Sequence, residues 1–134
     1  MTRIHCVTLP VDDLKRSIAF YRNGLGMGAE EVEEGADHVA LELPGGLCLV
    51  LILRSEFTQF TKLVRQGDAP KGASECILSF FAASREEVDA VLQSAGAAGG
   101  AVAGPAADKP WGYAGYVADP DGHLWEFLWN PRLT

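Results

Sequence analysis

The stretch Gly115–Pro131, GYVADPDGHLWEFLWNP, decides the fold of this chain. Two apolar runs flank the tetrapeptide DPDG at 119–122, a composition that predicts a β-hairpin closed by a tight turn. The second run contains one acid, Glu126, among large apolar residues. Side chains of a strand alternate between two faces, so Glu126 should lie opposite Trp125 and Phe127. We expect Trp125 and Phe127 to pack on a helix and the Glu126 side chain to point into the hollow of a cupped sheet.

A strand and a helix are predicted ahead of this hairpin. The run SECILSFFA at 74–82 is typical of a strand. Ser84 followed by Glu87 forms a capping box, which stabilises a helix start by about 1 kcal/mol. Apolar residues then recur at helical spacing, at Val88, Leu92 and Ala95. The second half of the chain therefore has the order strand, helix, and then strands that end in a hairpin.

The first half has the same order. RIHCVTLPV at 3–11 predicts a strand, and either Asp12 or Asp13 can cap the helix that follows. That helix places Leu14, Ile18 and Tyr21 on one face. HVALELP at 38–44 and LCLVLILR at 47–54 then predict a hairpin around a Gly-Gly turn.

Sliding the sequence on itself supports an internal repeat. A single shift of about 74 positions superposes both the helical and the hairpin patterns, pairing Leu14 with Val88, Ile18 with Leu92, Leu51 with Trp125 and Leu53 with Phe127. The predicted fold is α+β, with two βαβββ modules forming a cupped mixed sheet. Residues 1–134 form one domain, with module one at about 1–54, a connecting segment at 55–73 and module two at about 74–131. A short helix over Glu56–Val64 is expected within the connecting segment.

Composition restricts the classes of partner. The chain has 134 residues and a net charge of −7 without a basic cluster, which argues against nucleic acid and against an anionic membrane surface. No apolar run approaches the length of a membrane-spanning helix, and no signal-peptide pattern is visible. The three cysteines, Cys6, Cys48 and Cys76, lie in strand-like contexts, so we expect buried, reduced thiols in a cytoplasmic protein.

Three passages resemble the vicinal-oxygen-chelate superfamily, which includes glyoxalase I, bleomycin-resistance proteins and extradiol dioxygenases. VTLPVDDLKRSIAFYRNGLGM at 7–27 resembles its first strand and helix, and SREEVDAVLQSAGAAGG at 84–100 its second helix. The opening stretch at 115–131 resembles its final hairpin. The resemblance covers nearly the whole chain and implies a homodimer. It is specific for the fold and not for one chemistry, because this fold carries many activities.

The resemblance also implies four positions for the ligands of a divalent metal. Two follow from the family's motifs, Cys6 and Glu126, and the 74-residue shift adds Phe80 and Ile52. Only Glu126 is a residue type that the family uses. One carboxylate and one thiol opposite Ile and Phe do not supply the N and O donors that a divalent ion needs. No cofactor is therefore expected, and any metal that did bind would use Glu126.

Several residues are candidates for binding a small-molecule ligand. Glu126 is either a solvated acid at the mouth of the cup, or a pocket acid that orients a ligand or acts as a catalytic base, or a metal ligand. Thr8 shares the face of Cys6 and offers a hydroxyl group. Phe80 is either a cavity wall or core. Aromatic residues before the turn, Trp111 and Tyr113, are either core or part of a binding site.

Three functions remain open from the sequence. The leading prediction is a metal-independent protein of the glyoxalase and bleomycin-resistance type that binds a small molecule in the cup without a complete metal site. The alternative is a metal-dependent lyase or isomerase like glyoxalase I, with Glu126 as base or ligand; a dioxygenase is less favoured, because its iron needs two histidines. The third is an interaction module with a filled core and no pocket.

Overall fold

The computed structural model describes residues 2–28 and 31–133. Within them the chain forms two mixed β-sheets and three α-helices, which confirms the predicted α+β class. The elements are β1 (Cys6–Val11), α1 (Leu14–Ala19), β2 (His38–Glu42), β3 (Cys48–Leu53), α2 (Arg54–Leu63), β4 (Ile77–Phe81), α3 (Arg85–Ala97), β5 (Ala101–Val102), β6 (Ala107–Lys109), β7 (Gly112–Ala118) and β8 (Leu124–Trp129).

Module one builds the first sheet in the order β1-β3-β2. β1 runs parallel to β3, and β2 forms the predicted antiparallel hairpin with β3. The carboxylate of Asp13 accepts a hydrogen bond from the Arg16 backbone N–H at 3.0 Å and so caps α1. α1 continues as a π-helical turn over Phe20–Gly24. In the described part of module one this gives three strands, one fewer than the βαβββ pattern predicts.

Module two builds the second sheet in the order β4-β8-β7-β5, with the short β6 also paired to β7. Ser84 caps α3 as predicted: its Oγ accepts from the Glu87 N–H at 3.1 Å, and the Glu87 carboxylate reaches back to the N–H of Ala83, one residue before the cap, at 3.0 Å. β7 and β8 form the predicted hairpin around the DPDG turn. Module two thus has five strands, one more than the βαβββ pattern predicts, and the sequence did not locate the short strands β5 and β6.

The connecting segment contains the short helix that the sequence predicts, observed as α2. Beyond α2 the chain continues toward module two. In this part, the Asp68 carboxylate accepts hydrogen bonds from the Thr58 and Thr61 hydroxyls at 2.6 and 2.7 Å. These bonds hold the pKa of Asp68 below its ordinary value. The segment then passes so close to the DPDG turn that a Cβ at Gly122 would lie 2.7 Å from Gly72 Cα.

The two modules share one core on the sides of the sheets that face α1 and α3. This core joins residues of both modules, among them Leu9, Leu51, Phe20, Tyr21, Trp125 and Phe127. As expected, Trp125 and Phe127 point to the helix side and are buried. We call the opposite face of each sheet, which is turned away from α1 and α3, the open face. Glu126 lies on the open face of the second sheet.

The DPDG turn joins the modules through buried hydrogen bonds. Asp119 accepts from the Tyr21 hydroxyl at 2.5 Å, and Tyr21 accepts in turn from Trp125 Nε1 at 3.1 Å. Asp121 accepts from the Asp12 N–H at 2.9 Å. His123 Nε2 donates to the Pro10 carbonyl at 2.7 Å, since a carbonyl only accepts. Burial, followed by the charge of Asp119, raises the pKa of Tyr21 well above its ordinary value.

A single repeat shift of 74 is wrong for the strands. β1 and β4 begin 71 positions apart, at Cys6 and Ile77, whereas β3 and β8, which share one burial pattern, begin 76 positions apart at Cys48 and Leu124. The parallel pairings agree with these two shifts, since Thr8 pairs with Val50 and Ser79 pairs with Glu126. Ser79 lies 71 positions after Thr8, and Glu126 lies 76 positions after Val50. The counterpart of Glu126 in module one is therefore Val50 rather than Ile52. Loops of different length between the elements explain why one shift fails.

Close packing of α3 on β7 leads to a first prediction. A Cβ at Gly115 would lie 2.2 Å from Leu92 Cδ1, because the helix rests directly on the strand there. We expect Gly115→Ala to lower the free energy of unfolding by about 1–3 kcal/mol through overpacking. Adding Leu92→Ala should make the double variant more stable than the sum of the two single losses predicts, as measured by urea denaturation. Purely additive losses would contradict this contact.

Candidate functional site

Three polar residues lie side by side on the open face of the second sheet. Ser79 on β4 pairs with Glu126 on β8, and Glu126 pairs with Tyr116 on β7. In-register neighbours of adjacent strands have side chains on the same face about 5 Å apart. The strand pairing alone therefore brings a carboxylate between two hydroxyl groups.

The Glu126 carboxylate accepts three hydrogen bonds. Oε1 accepts from Ser79 Oγ at 2.8 Å, and Oε2 accepts from the Tyr116 hydroxyl at 2.7 Å and from Trp111 Nε1 at 3.1 Å. All three donors are neutral and belong to module two. Partial burial, followed by the hydrogen bond to Glu126 and its charge, raises the pKa of Tyr116 above its ordinary value. We call Glu126, Ser79, Tyr116 and Trp111 the acid cluster.

Among the described residues, the Glu126 carboxylate has only neutral donors. None of the ion pairs among residues 2–28 and 31–133 involves Glu126. The acid is only half-buried, so water and the three donors stabilise its charge. The open face therefore presents a fixed negative charge to any molecule that approaches it.

Exposed apolar side chains flank the acid cluster, and its own Trp111 is exposed as well. Ile77 and Phe81 on β4 are 54% and 53% exposed, and Trp111 is 49% exposed. Ile77, Ser79 and Phe81 alternate with core residues along β4, so the two apolar side chains flank Ser79 on the open face. An exposed apolar surface around a few ordered polar groups is typical of a binding site.

The open face of the first sheet carries a cavity of about 560 Å³. α2 leans over this face and supplies the Phe57 and Phe60 side chains of the cavity, while the sheet supplies Thr8, Val50, Ile52 and His38. His38 Nδ1 lies 2.6 Å from the Asp37 carboxylate at the rim. The size of the cavity and its largely apolar wall suit a small organic molecule.

The structure divides the predicted ligand-binding residues into three groups. Glu126 and Trp111 meet in the acid cluster. Thr8 and Ile52 line the cavity of the first sheet, and Cys6 lies beside them with its Sγ 3.8 Å from Thr8 Oγ1. The third group, Phe80 and Tyr113, lies on the helix side.

Phe80 and Tyr113 do not share a face with Glu126. Phe80 packs edge-on against Phe127, with ring centroids 6.2 Å apart, and also borders a separate apolar cavity of about 390 Å³ between the modules. The Tyr113 hydroxyl donates to Asp89 at 2.7 Å, and the Arg85 guanidinium lies 4.7 Å above its ring. Their roles in ligand binding stay predictions, and they would have to act from the helix side.

Sequence reasoning missed Ser79 and left Tyr116 out of the ligand-binding set. A tight DPDG turn places Ala118 opposite Leu124, and counting along the hairpin then puts Tyr116 opposite Glu126. Tyr116 could therefore have been predicted as a neighbour of Glu126 from the turn alone. Ser79 could not, because its position depends on the parallel register of two strands separated by a helix and a hairpin.

The acid cluster does not fit a divalent metal ion. Its side chains are one carboxylate, two hydroxyls and one indole N–H, and the indole only donates. The residues of module one that correspond to Ser79 and Glu126 are Thr8 and Val50, which add no carboxylate or imidazole. No group of three or more His, Cys, Asp or Glu residues capable of holding a metal exists in the described ranges.

The cysteines differ from the expectation. Cys6 and Cys76 are exposed rather than buried, and Cys48 is half-buried. Cys6 is exposed because its side chain lies on the open face. In the described ranges, no helix is both long enough and apolar enough to cross a membrane.

The site thus lies in an α+β protein of two modules, whose two mixed sheets share one core on the side of α1 and α3. The family model of the Glyoxalase/Bleomycin resistance protein/Dioxygenase superfamily matches residues 3–127, so the chain belongs to that superfamily. This confirms the family expected from the motifs at 7–27 and 115–131.

Solved structures agree with this assignment. A glyoxalase-related enzyme from Fulvimarina pelagi is 28% identical with a TM-score of 0.81, over 98% of this chain and 90% of that one. A hypothetical protein from S. aureus is 26% identical with a TM-score of 0.78, over 97% and 95%. A glyoxalase/bleomycin resistance protein/dioxygenase family enzyme from Burkholderia phytofirmans PsJN, 20% identical with a TM-score of 0.77 over 93% and 96%, is similar in fold. Comparison with curated proteins finds no match.

Proposed function

We propose that this protein binds a small organic molecule on its open sheet faces without a metal ion, with Glu126 as the anchoring acid. The observation that carries the proposal is the acid cluster, in which three donors fix a carboxylate on a face bordered by exposed Ile77, Phe81 and Trp111. Fixed polar groups beside apolar surface orient a ligand, and the apolar surface supplies affinity.

A second copy of the chain would complete the site. The second sheet leaves the large apolar residues Ile77 and Phe81 of its open face exposed within one chain, and these residues are costly to leave in water. In a homodimer the open face of module two would meet that of module one of the partner. The acid cluster would then border the apolar cavity beside Thr8 and Ile52. The ligand would lie between the two faces.

A lyase of the glyoxalase type is less well supported by this site. Such an enzyme would use Glu126 as a base or as a metal ligand. Three donors already bond to this carboxylate and hold it in place, and its neighbours are hydroxyls rather than further metal donors. Glu126 is better placed to hold a ligand than to abstract a proton.

The proposal is tested by screening small aromatic fragments with ¹H–¹⁵N NMR. The Trp111 indole N–H donates to Glu126 and reports on the open face, whereas that of Trp125 donates to Tyr21 in the core. We expect binders to shift the Trp111 signal and to leave the Trp125 signal unchanged. Binders that shift only core or helix-side signals would refute the location of the site.

The matched variants for this screen are Glu126→Gln and Glu86→Gln. Both remove one carboxylate, but Glu86 is exposed in the first turn of α3, away from the open faces. We expect Glu126→Gln to weaken binding by about tenfold, the usual magnitude for one hydrogen bond to a charged group. Glu86→Gln should bind as the wild type does. Equal losses in both variants would point to a general charge effect.

A further inference from the structure

We infer that the ligand of the acid cluster is an organic cation, with a protonated amine attached to a flat apolar group. This inference rests on the proposed function and names the ligand class for the same site. It follows from three observations on the open face of module two: an unbalanced charge, a set of hydrogen-bonding groups that all accept, and an exposed indole ring.

The first observation is the unbalanced charge of Glu126. In the part of the chain that the structure describes, every donor to this carboxylate is neutral, and the ion pairs involve other acids. The net charge of the chain is −7, so long-range attraction also favours a cation over an anion. An anionic ligand would have to approach this charge without a basic side chain to offset the repulsion.

The second observation is that the polar groups facing a ligand can only accept hydrogen bonds. Ser79 and Tyr116 each have a single hydroxyl hydrogen, and both donate it to Glu126. What they still offer is oxygen lone pairs. Glu126 Oε1 accepts only one bond, from Ser79, so it has room for a second donor. A ligand must therefore bring the hydrogens, and an ammonium group brings up to three.

The third observation is the position of Trp111. Its N–H is held by Glu126 at 3.1 Å, which anchors the ring, while 49% of the residue stays exposed. The ring surface is thus available to a flat group beside the carboxylate. Phe81, 53% exposed on the same open face, adds a second aromatic surface. Aromatic faces attract cations as well as planar apolar groups.

An inorganic divalent ion does not satisfy these observations equally well. One carboxylate and two hydroxyls provide too little charge for such an ion, and the indole ring contributes nothing to its coordination. An ammonium group on a planar body uses the carboxylate, the lone pairs and the ring together.

The test compares three probes of one shape and different charge: 2-naphthylmethylammonium, 2-naphthalenemethanol and 2-naphthoate. Their dissociation constants are measured at neutral pH by calorimetry and from the Trp111 indole signal. We expect the ammonium to bind about tenfold more tightly than the alcohol, as one charge-assisted hydrogen bond allows, and the carboxylate most weakly. Raising the salt concentration from about 0.02 M to about 0.5 M should weaken the ammonium and not the alcohol.

Variants locate the charge preference. In Glu126→Gln we expect the ammonium to lose its advantage over the alcohol, while Glu86→Gln keeps it. If the alcohol or the naphthoate binds the wild type as well as the ammonium does, the ligand class is wrong but binding at Trp111 still supports the proposed function. An ammonium preference that survives in Glu126→Gln, or no binding of any probe, also overturns the inference. In the last case the fragment screen decides the proposed function separately.

Discussion

Asp119→Ala is expected to lower the free energy of unfolding by about 3–5 kcal/mol, because it leaves buried donors without an acceptor. Asp119 is buried at 3% exposure. It accepts from the Tyr21 hydroxyl at 2.5 Å and from the backbone N–H groups of Asp121 and His123 at 2.9 and 2.8 Å. Tyr21 comes from module one, so the variant breaks the junction between the modules as well as the DPDG turn.

The matched control for this prediction is Asp89→Ala. Asp89 also accepts from a tyrosine hydroxyl, that of Tyr113 at 2.7 Å, but on the exposed surface of α3. An exposed bond of this kind should change stability by about 1 kcal/mol or less. Urea denaturation at a fixed protein concentration measures both variants. Similar losses in the two would show that Asp119 does not join the modules.

Phe81→Asp is expected to weaken self-association at least about a hundredfold, since it places a charge in the centre of the proposed dimer interface. Phe81 lies on the open face of β4, is 53% exposed and contributes little to the core of its own chain. The single-chain fold should therefore survive. Sedimentation equilibrium measures the association, and circular dichroism checks that the fold is intact.

Val102→Asp is the control for self-association. Val102 is 40% exposed on β5, but it lies near Gly96 of α3, on the helix side. The Val102→Asp substitution removes a similar exposed apolar group without changing an open face. We expect it to associate as the wild type does. A wild-type chain that stays monomeric at high concentration, or a Phe81→Asp variant that still associates, would contradict the two-chain site.

The sequence was sufficient to predict the fold because its signals are local. The DPDG turn, the Ser84 capping box and the alternation around Glu126 each act within a few residues, and the structure confirms each of them. The side chain of Glu126 faces away from Trp125 and Phe127 for the same reason. A strand with buried aromatic residues at alternate positions leaves its remaining side chains on the other face.

One partner of Glu126, Ser79, could not be predicted from local signals because its position depends on long-range register. Ser79 reaches Glu126 only through the parallel pairing of β4 and β8. The uniform 74-residue shift misplaced the module-one counterpart at Ile52, since loop lengths differ between the modules and do not affect the fold. The role of Asp119 was likewise predicted only as part of a turn. Its bond to Tyr21 spans 98 positions, and no local pattern indicates it.

The central claim is that the open face around Glu126 binds a ligand, and the three tryptophan indole signals test it most directly. Trp111 donates to Glu126 on the open face, and Trp125 donates to Tyr21 in the core. Titration with 2-naphthylmethylammonium should shift the Trp111 signal in the wild type, leave Trp125 in place and shift Trp111 far less in Glu126→Gln. A saturable shift of Trp125 with an unmoved Trp111, or an unchanged response in Glu126→Gln, would contradict the account.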